Sequence, residues 1–154
     1  IGEPFEVLPR QHAAGRILRR VGDDHSGARG NATFHLGKVE AELARLGLSQ
    51  ERFTIRMTGC PNGCARPYNC DVGLVGKARG KYTVLLGGRL LGDRLNFVYR
   101  DMVPEEEVVA TLAPVFAYFK QARDSGETLG DFCLPKGAED IAAWPDANAA
   151  ALAQ

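Results

Sequence analysis

An excess of either charge is missing. Lys plus Arg number 19 and Asp plus Glu number 19, so no global field favours nucleic acid or a membrane surface as a partner. No uninterrupted apolar run approaches the roughly 20 residues of a membrane span, and the first residues lack the charged-then-apolar order of a signal peptide. A cytoplasmic location is the expectation. Phosphate-cradling spacings are absent as well: Gly87-Gly88 is accompanied by neither G-x-G-x-x-G nor a P-loop, which excludes a nucleotide-binding fold. Cysteine is scarce, four in 154 residues and none before Cys60. Cys60 and Cys64 are too close for easy mutual pairing, and reduced thiols are expected rather than two disulfides. What remains is ordinary: 45% hydrophobic and 25% charged residues suit one globular domain or a piece of a larger protein.

The chemistry concentrates in Thr58-Gly59-Cys60-Pro61-Asn62-Gly63-Cys64-Ala65-Arg66-Pro67-Tyr68. Two thiols four positions apart, separated by Pro, Asn and Gly, require a tight turn with both sulfurs on one side. Thiolates are soft ligands that favour zinc, copper(I) and iron–sulfur clusters. Three intervening residues match neither zinc knuckles nor thioredoxin-type pairs, which favours an iron–sulfur or haem-linked site. The plain alternative is that Cys60 and Cys64 are buried small hydrophobes. Asn62 and Gly63 suit the backbone angles of the turn. Cys70 and Cys133 read most simply as packing residues, with improvised ligation as the other reading. His12, His25 and His35 share no spacing and read as surface residues.

T-G-C-P-N-G-C-A-R-P-Y, then D-V-G-L-V-G-K, Y-T-V-L-L-G-G and G-E-T-L-G-D-F-C, resembles the C-terminal part of the sulfite and nitrite reductase haemoprotein family. The likeness runs from about Lys38 to about Gly137. It implies an α+β cofactor-binding half-domain of a sirohaem reductase, a small antiparallel or mixed sheet with flanking helices. It also implies two cofactors, a [4Fe–4S] cluster and sirohaem. By position, Cys60 would ligate the cluster and Cys64 would bridge it to the sirohaem iron, one shared sulfur passing electrons between the two. Arg66 would balance a sirohaem carboxylate or the cluster's charge, against the plainer reading of a surface salt bridge; Asn62 would lie beside the cofactors.

The resemblance has one gap. The family places a further pair, C-x5-C, some tens of residues before this turn, and here no cysteine precedes Cys60. Residues 1–36 read as a poorly matching segment, disordered or frame-shifted. The family has Glu-Arg-x-Leu-Pro where this chain has Asn31-Ala32-Thr33-Phe34-His35. Codons AAC GCG ACC TTC CAT, read one base earlier after a G, give Glu-Arg-Asp-Leu-Pro. The encoding DNA decides that reading.

From Lys38 the pattern turns helical, with Val39, Leu43, Leu46 and Leu48 toward one face, until Gly47 ends it. Phe53, Ile55 and Met57 alternate with Thr54 and Arg56, predicting a half-buried strand that leads into the cysteine turn. Val72–Val75 and Tyr82–Leu86 read as a hairpin, and Leu95, Phe97 and Tyr99 as a third strand. Gly73, Gly76, Gly87 and Gly88 suggest close approach of the backbone to a ligand, a flat macrocycle by family analogy. Pro104 and Glu105-Glu106-Glu107 open a helix whose stripe is Val108, Val109, Leu112, Phe116 and Phe119, kinked at Pro114. The expected domains are thus 1–36, a cofactor-binding domain over 37–137, and a tail over 138–154.

The resulting expectation is part of an assimilatory sulfite reductase haemoprotein, an oxidoreductase of sulfur assimilation that takes sulfite to sulfide. Its partners would be sulfite and an electron donor, ferredoxin or a flavoprotein reductase. Alternatives are a ferredoxin–nitrite reductase fragment and an inactive, metal-free remnant or binding module. No catalytic residue is assigned, because the family's substrate-binding Arg and Lys cluster lies earlier in the full-length chain.

Overall fold

A computed structural model of the chain describes residues 16–21, 28–59, 61–63 and 65–148, those up to residue 36 as backbone only. Five strands, β1 (Arg16–Val21), β2 (Arg52–Thr58), β3 (Val72–Ala78), β4 (Lys81–Leu86) and β5 (Phe97–Pro104), lie side by side in chain order. β1 with β2 and β2 with β3 are parallel, whereas β3 with β4 and β4 with β5 are antiparallel. Helices α1 (Ala28–Arg45), α2 (Val108–Ala122) and α3 (Leu129–Ala147) flank this mixed sheet, so the fold is α+β as expected.

Topology dictates where the long loops go. Antiparallel neighbours can be joined by two residues, and Arg79-Gly80 does so between β3 and β4, with Gly80 at φ 65°. Parallel neighbours need a crossover of about a dozen residues, usually helical. α1 supplies one between β1 and β2. The other, residues 59–71, shows no helix among its described residues. It is the segment that carries the cysteine turn.

One face of the sheet packs on the helices. Phe53, Ile55 and Met57 on β2 and Leu74 on β3 join Leu43 of α1, Phe116 and Phe119 of α2 and Phe132 of α3 in a single core. Phe53 meets Phe116 and Phe119 with ring centroids 5.6 and 5.8 Å apart. Each such side chain contributes about 2–3 kcal/mol by leaving water. The α2 stripe is core, with Val108, Leu112, Phe116 and Phe119 buried and Val109 partly so. Pro114 sits inside α2 without ending it. α1 stops as expected: Gly47 takes φ 73°, and the Leu48 amide returns to Leu43 O at 2.8 Å.

Three expectations need correction. α1 begins at Ala28 and β1 pairs with β2 in parallel register, so the boundary expected at residue 36 falls inside a helix. At the other end, α3 reaches Ala147, and the 138–154 segment expected as a tail contributes buried Ile141 and Trp144 up to that point. Trp144 stacks on Tyr118 at 5.0 Å. Gly137, at φ 71°, breaks the helix locally and hides its continuation from a periodicity reading. Lastly, β2 is not half-buried: Arg56 and Thr58, on the side away from the helices, are also covered.

Candidate functional site

The crossover is seated against the sheet at both ends. Gly59, just past β2, lies against Gly76, where a Cβ would overlap the Gly59 carbonyl. Pro67 lies against Gly73, where a Cβ would overlap the Pro67 carbonyl. Gly73 and Gly76 are thus close-approach positions, but what approaches is the protein's own crossover, not open space for a macrocycle. The same holds for Gly87, crowded by the Phe97 ring, and Gly88, crowded by Asn96 and the Cys70 carbonyl.

Within the turn, the Arg66 amide donates to Gly63 O at 2.8 Å, and the Tyr68 hydroxyl to Pro61 O at 3.1 Å. The left-handed angles fall on Gly63 (φ 73°) and on Arg66 (φ 52°), and not on Asn62. Beneath the turn, Arg56 Nη1 donates to Arg66 O at 3.1 Å and to Asn69 Oδ1 at 2.8 Å. A neighbouring loop closes the far side: the Asn96 amide donates to Tyr68 O at 2.8 Å, and Asn96 Oδ1 accepts the Cys70 amide at 3.1 Å.

Where the crossover rejoins the sheet, Asp71 ties three elements together. Its carboxylate accepts the Thr54 amide at 2.8 Å, the Thr54 hydroxyl at 2.6 Å and, on its other oxygen, the Gly130 amide at the start of α3 at 2.8 Å. Gly130 has no room for a Cβ, which would overlap Gly88 O. The adjoining loop is strapped to α3 by Arg94, which donates to Gly87 O at 2.7 Å and to Asp131 at 2.8 Å. Arg94 first, with Thr128 and Arg89, holds the Asp131 carboxyl down at about 2.

Of the residues picked from the sequence, Asn62 and Arg66 are exposed in the turn. No salt bridge to Arg66 occurs among the described residues. Cys60 and Cys64 lie outside the described residues, as do His12 and His25. Cys70 and Cys133 are fully buried free thiols, and burial pushes both up to about 12. Cys70 Sγ sits 3.1 Å from Val72 O. Such thiols are poor ligands, since the thiolate is the metal-binding form. Among the described residues no group of three or more His, Cys, Asp or Glu is arranged to hold a metal ion.

Sequence reasoning missed Arg56, Thr54 and Asp71. The available signal was polar residues on β2 beside a crossover that must lie on the sheet. It missed α3 too, although Thr128 and Asp131 spell a helix start, and the Thr128 hydroxyl does accept the Asp131 amide at 3.1 Å.

Comparison with known proteins adds a family. The sequence pattern of the nitrite and sulphite reductase 4Fe-4S domain matches residues 39–146. The sulfite reductase [NADPH] hemoprotein beta-component of Staphylococcus carnosus (strain TM300) is 48% identical over 102 residues, which are 66% of this chain and 18% of that protein. Its namesake in Acidithiobacillus ferrooxidans is 53% identical over 97 residues, 63% of this chain and 17% of that protein. The structure of the Mycobacterium tuberculosis NirA protein superposes with a TM-score of 0.62 at 25% identity, covering 73% of this chain and 23% of that one. The chain spans less than a fifth of the length of these curated relatives.

Proposed function

The chain belongs to the nitrite and sulphite reductase 4Fe-4S domain family, and from that premise we propose that it is the cofactor-binding part of an assimilatory sulfite reductase haemoprotein. The whole protein would reduce sulfite to sulfide in the cytoplasm, drawing electrons from ferredoxin or a flavoprotein reductase. Cys60 would be a cluster ligand and Cys64 the thiolate shared with sirohaem, with Asn62 and Arg66 beside them. The observation that carries this reading is the seated crossover: a Cys-Pro-Asn-Gly-Cys turn held at both ends by the sheet, with an exposed cation, Arg66, on its rim. Sirohaem and the cluster supply the electron-transfer chemistry when bound. This chain's residues supply the grip, the charge balance and the fixed shape.

The complete cluster does not fit this chain alone. A [4Fe–4S] cluster takes four thiolates. The chain has four cysteines, and two of them, Cys70 and Cys133, are sealed in the core with their thiols protonated. Cys60 and Cys64 are left. That supports a second reading, a metal-free remnant, and it carries the expectation that the isolated chain has no sulfite reductase activity. Residues before about 36 would then derive from a shifted frame that removed the missing pair, and the encoding DNA is the test of that step.

Anaerobic incubation of the purified chain with ferrous iron and sulfide discriminates. Under the first reading the two remaining thiols retain iron, short of a complete cluster, and that iron is lost in the Cys60→Ala/Cys64→Ala variant and kept in Cys70→Ala/Cys133→Ala. Iron held equally by the Cys60→Ala/Cys64→Ala variant overturns it, and a colourless, iron-free wild type favours the remnant. Steady methyl-viologen-driven sulfide production by the 154-residue chain would refute the expected inactivity.

A further inference from the structure

We propose that Arg56 is a positioning residue for the cysteine turn, a buried cation that fixes the chain after Cys64 through the Arg66 carbonyl and Asn69. The inference rests on the reading above only in taking Cys60 and Cys64 as the functional pair.

Arg56 is 9% exposed in the middle of β2. A charge is retained in such a place only if it is well hydrogen-bonded. Two of its acceptors, Arg66 O and Asn69 Oδ1, belong to the descending half of the turn. The Arg66 carbonyl has little else, since the Asn69 amide reaches it only at 3.5 Å. Arg66 itself holds φ 52°, an angle that a residue with a side chain keeps only when its surroundings enforce it. The guanidinium supplies that enforcement, as charge-assisted donors are stronger than neutral ones.

The cross-strand neighbour completes the device. Arg56 pairs with Gly73 in the β2–β3 register, and the missing side chain at Gly73 admits the Pro67 carbonyl. Ala65, directly after Cys64, is fully buried. From Ala65 to Asn69 the crossover is therefore pinned by burial, by a clamp on its carbonyl and by a socket in β3. Ahead of Cys60, the Gly59 carbonyl rests against Gly76. Both flanks of the turn are thus held by contacts within the protein.

The test uses the full chain without iron, phenylarsine oxide as a probe that requires two neighbouring thiols, and amide hydrogen exchange. In Arg56→Met the Arg66 amide is expected to exchange at least about tenfold faster, and the arsenical to bind about tenfold more weakly, the loss expected for one charge-assisted hydrogen bond. Exchange in β4 and α2 is expected to stay as in the wild type. Arg56→Lys, which keeps the cation, is expected to recover part of both effects, a rescue that a mere packing role would not give. Should Arg56→Met fail to fold, Asn69→Ala removes one clamp acceptor from a partly exposed position and is expected to shift both readouts the same way. Unchanged exchange and arsenical affinity in Arg56→Met, or in Asn69→Ala where the former does not fold, overturn the proposal. If the wild type captures no arsenical while Arg66 protection still depends on Arg56, the positioning role stands and the thiol-pair reading of the function is what fails.

Discussion

Replacing Asp71 with alanine should be among the most damaging single changes to this fold. The carboxylate is 7% exposed and receives two backbone amides and a hydroxyl, from Thr54 on β2 and Gly130 on α3. Alanine leaves both amides without their acceptor, the Gly130 amide buried and the Thr54 amide half-buried. A buried orphaned donor costs about 1–3 kcal/mol, and losing charged acceptors puts each toward the upper part of that range. Relief from desolvating the carboxylate and partial hydration of the Thr54 amide offset part of this, which gives a net loss of about 2–4 kcal/mol. With a urea dependence of about 2 kcal/mol per molar, the unfolding midpoint should fall by roughly 1–2 M. Asp93→Ala is the control, because that carboxylate is 54% exposed in an ion pair with Arg89 and should cost at most about 1 kcal/mol. The assay is urea unfolding followed by circular dichroism. If Asp71→Ala lies within about 0.5 M of wild type, the three-way tie between crossover, sheet and α3 is not what holds them together, and the reasoning is wrong.

Two further outcomes follow from the same geometry. A thiol-specific chromogenic reagent at neutral pH should reach Cys70 and Cys133 only on unfolding, because burial holds those two near 12; four fast thiols in the folded chain would contradict this. Acid should loosen the strap between the 88–96 loop and α3. The Asp131 carboxyl is depressed to about 2, so its stabilisation is complete above an unfolded value near 4 and is lost as pH falls toward 2. The side chain is 36% exposed, which keeps the effect below about 1 kcal/mol. Asp131→Asn should therefore be slightly less stable than wild type at pH 6 and level with it near pH 2, and an unchanging difference across that range would count against the assignment.

How far the sequence carried depends on which interactions decide each element. Strands β2 to β5 and helix α2 were legible because alternation and helical spacing are written by core residues such as Phe53, Ile55 and Phe116, and burial enforces them. α3 was not, because Pro135, Gly137 and Pro145 break the pattern while tertiary contacts of Ile141 and Trp144 hold the helix in place. The thiols of the candidate site could be named from their spacing. What holds the turn could not, since Arg56, Gly73 and Asp71 act through contacts between segments distant in the chain, and a strand's polar face reads as solvent-facing until something is known to lie on it.

That last point ties the fold to the chemistry. Two parallel strands side by side force a crossover, and a crossover without a helix has few internal hydrogen bonds with which to hold a shape. Here the sheet provides them: a clamp from Arg56, sockets at Gly73 and Gly76, and an anchor at Asp71. A turn mounted this way has both of its flanks fixed by contacts with the sheet. The seat and the completeness of the ligand set are therefore separate properties. A chain can keep the first, as this one does, while the thiols of its own that could complete a four-sulfur cluster, Cys70 and Cys133, are committed to the core.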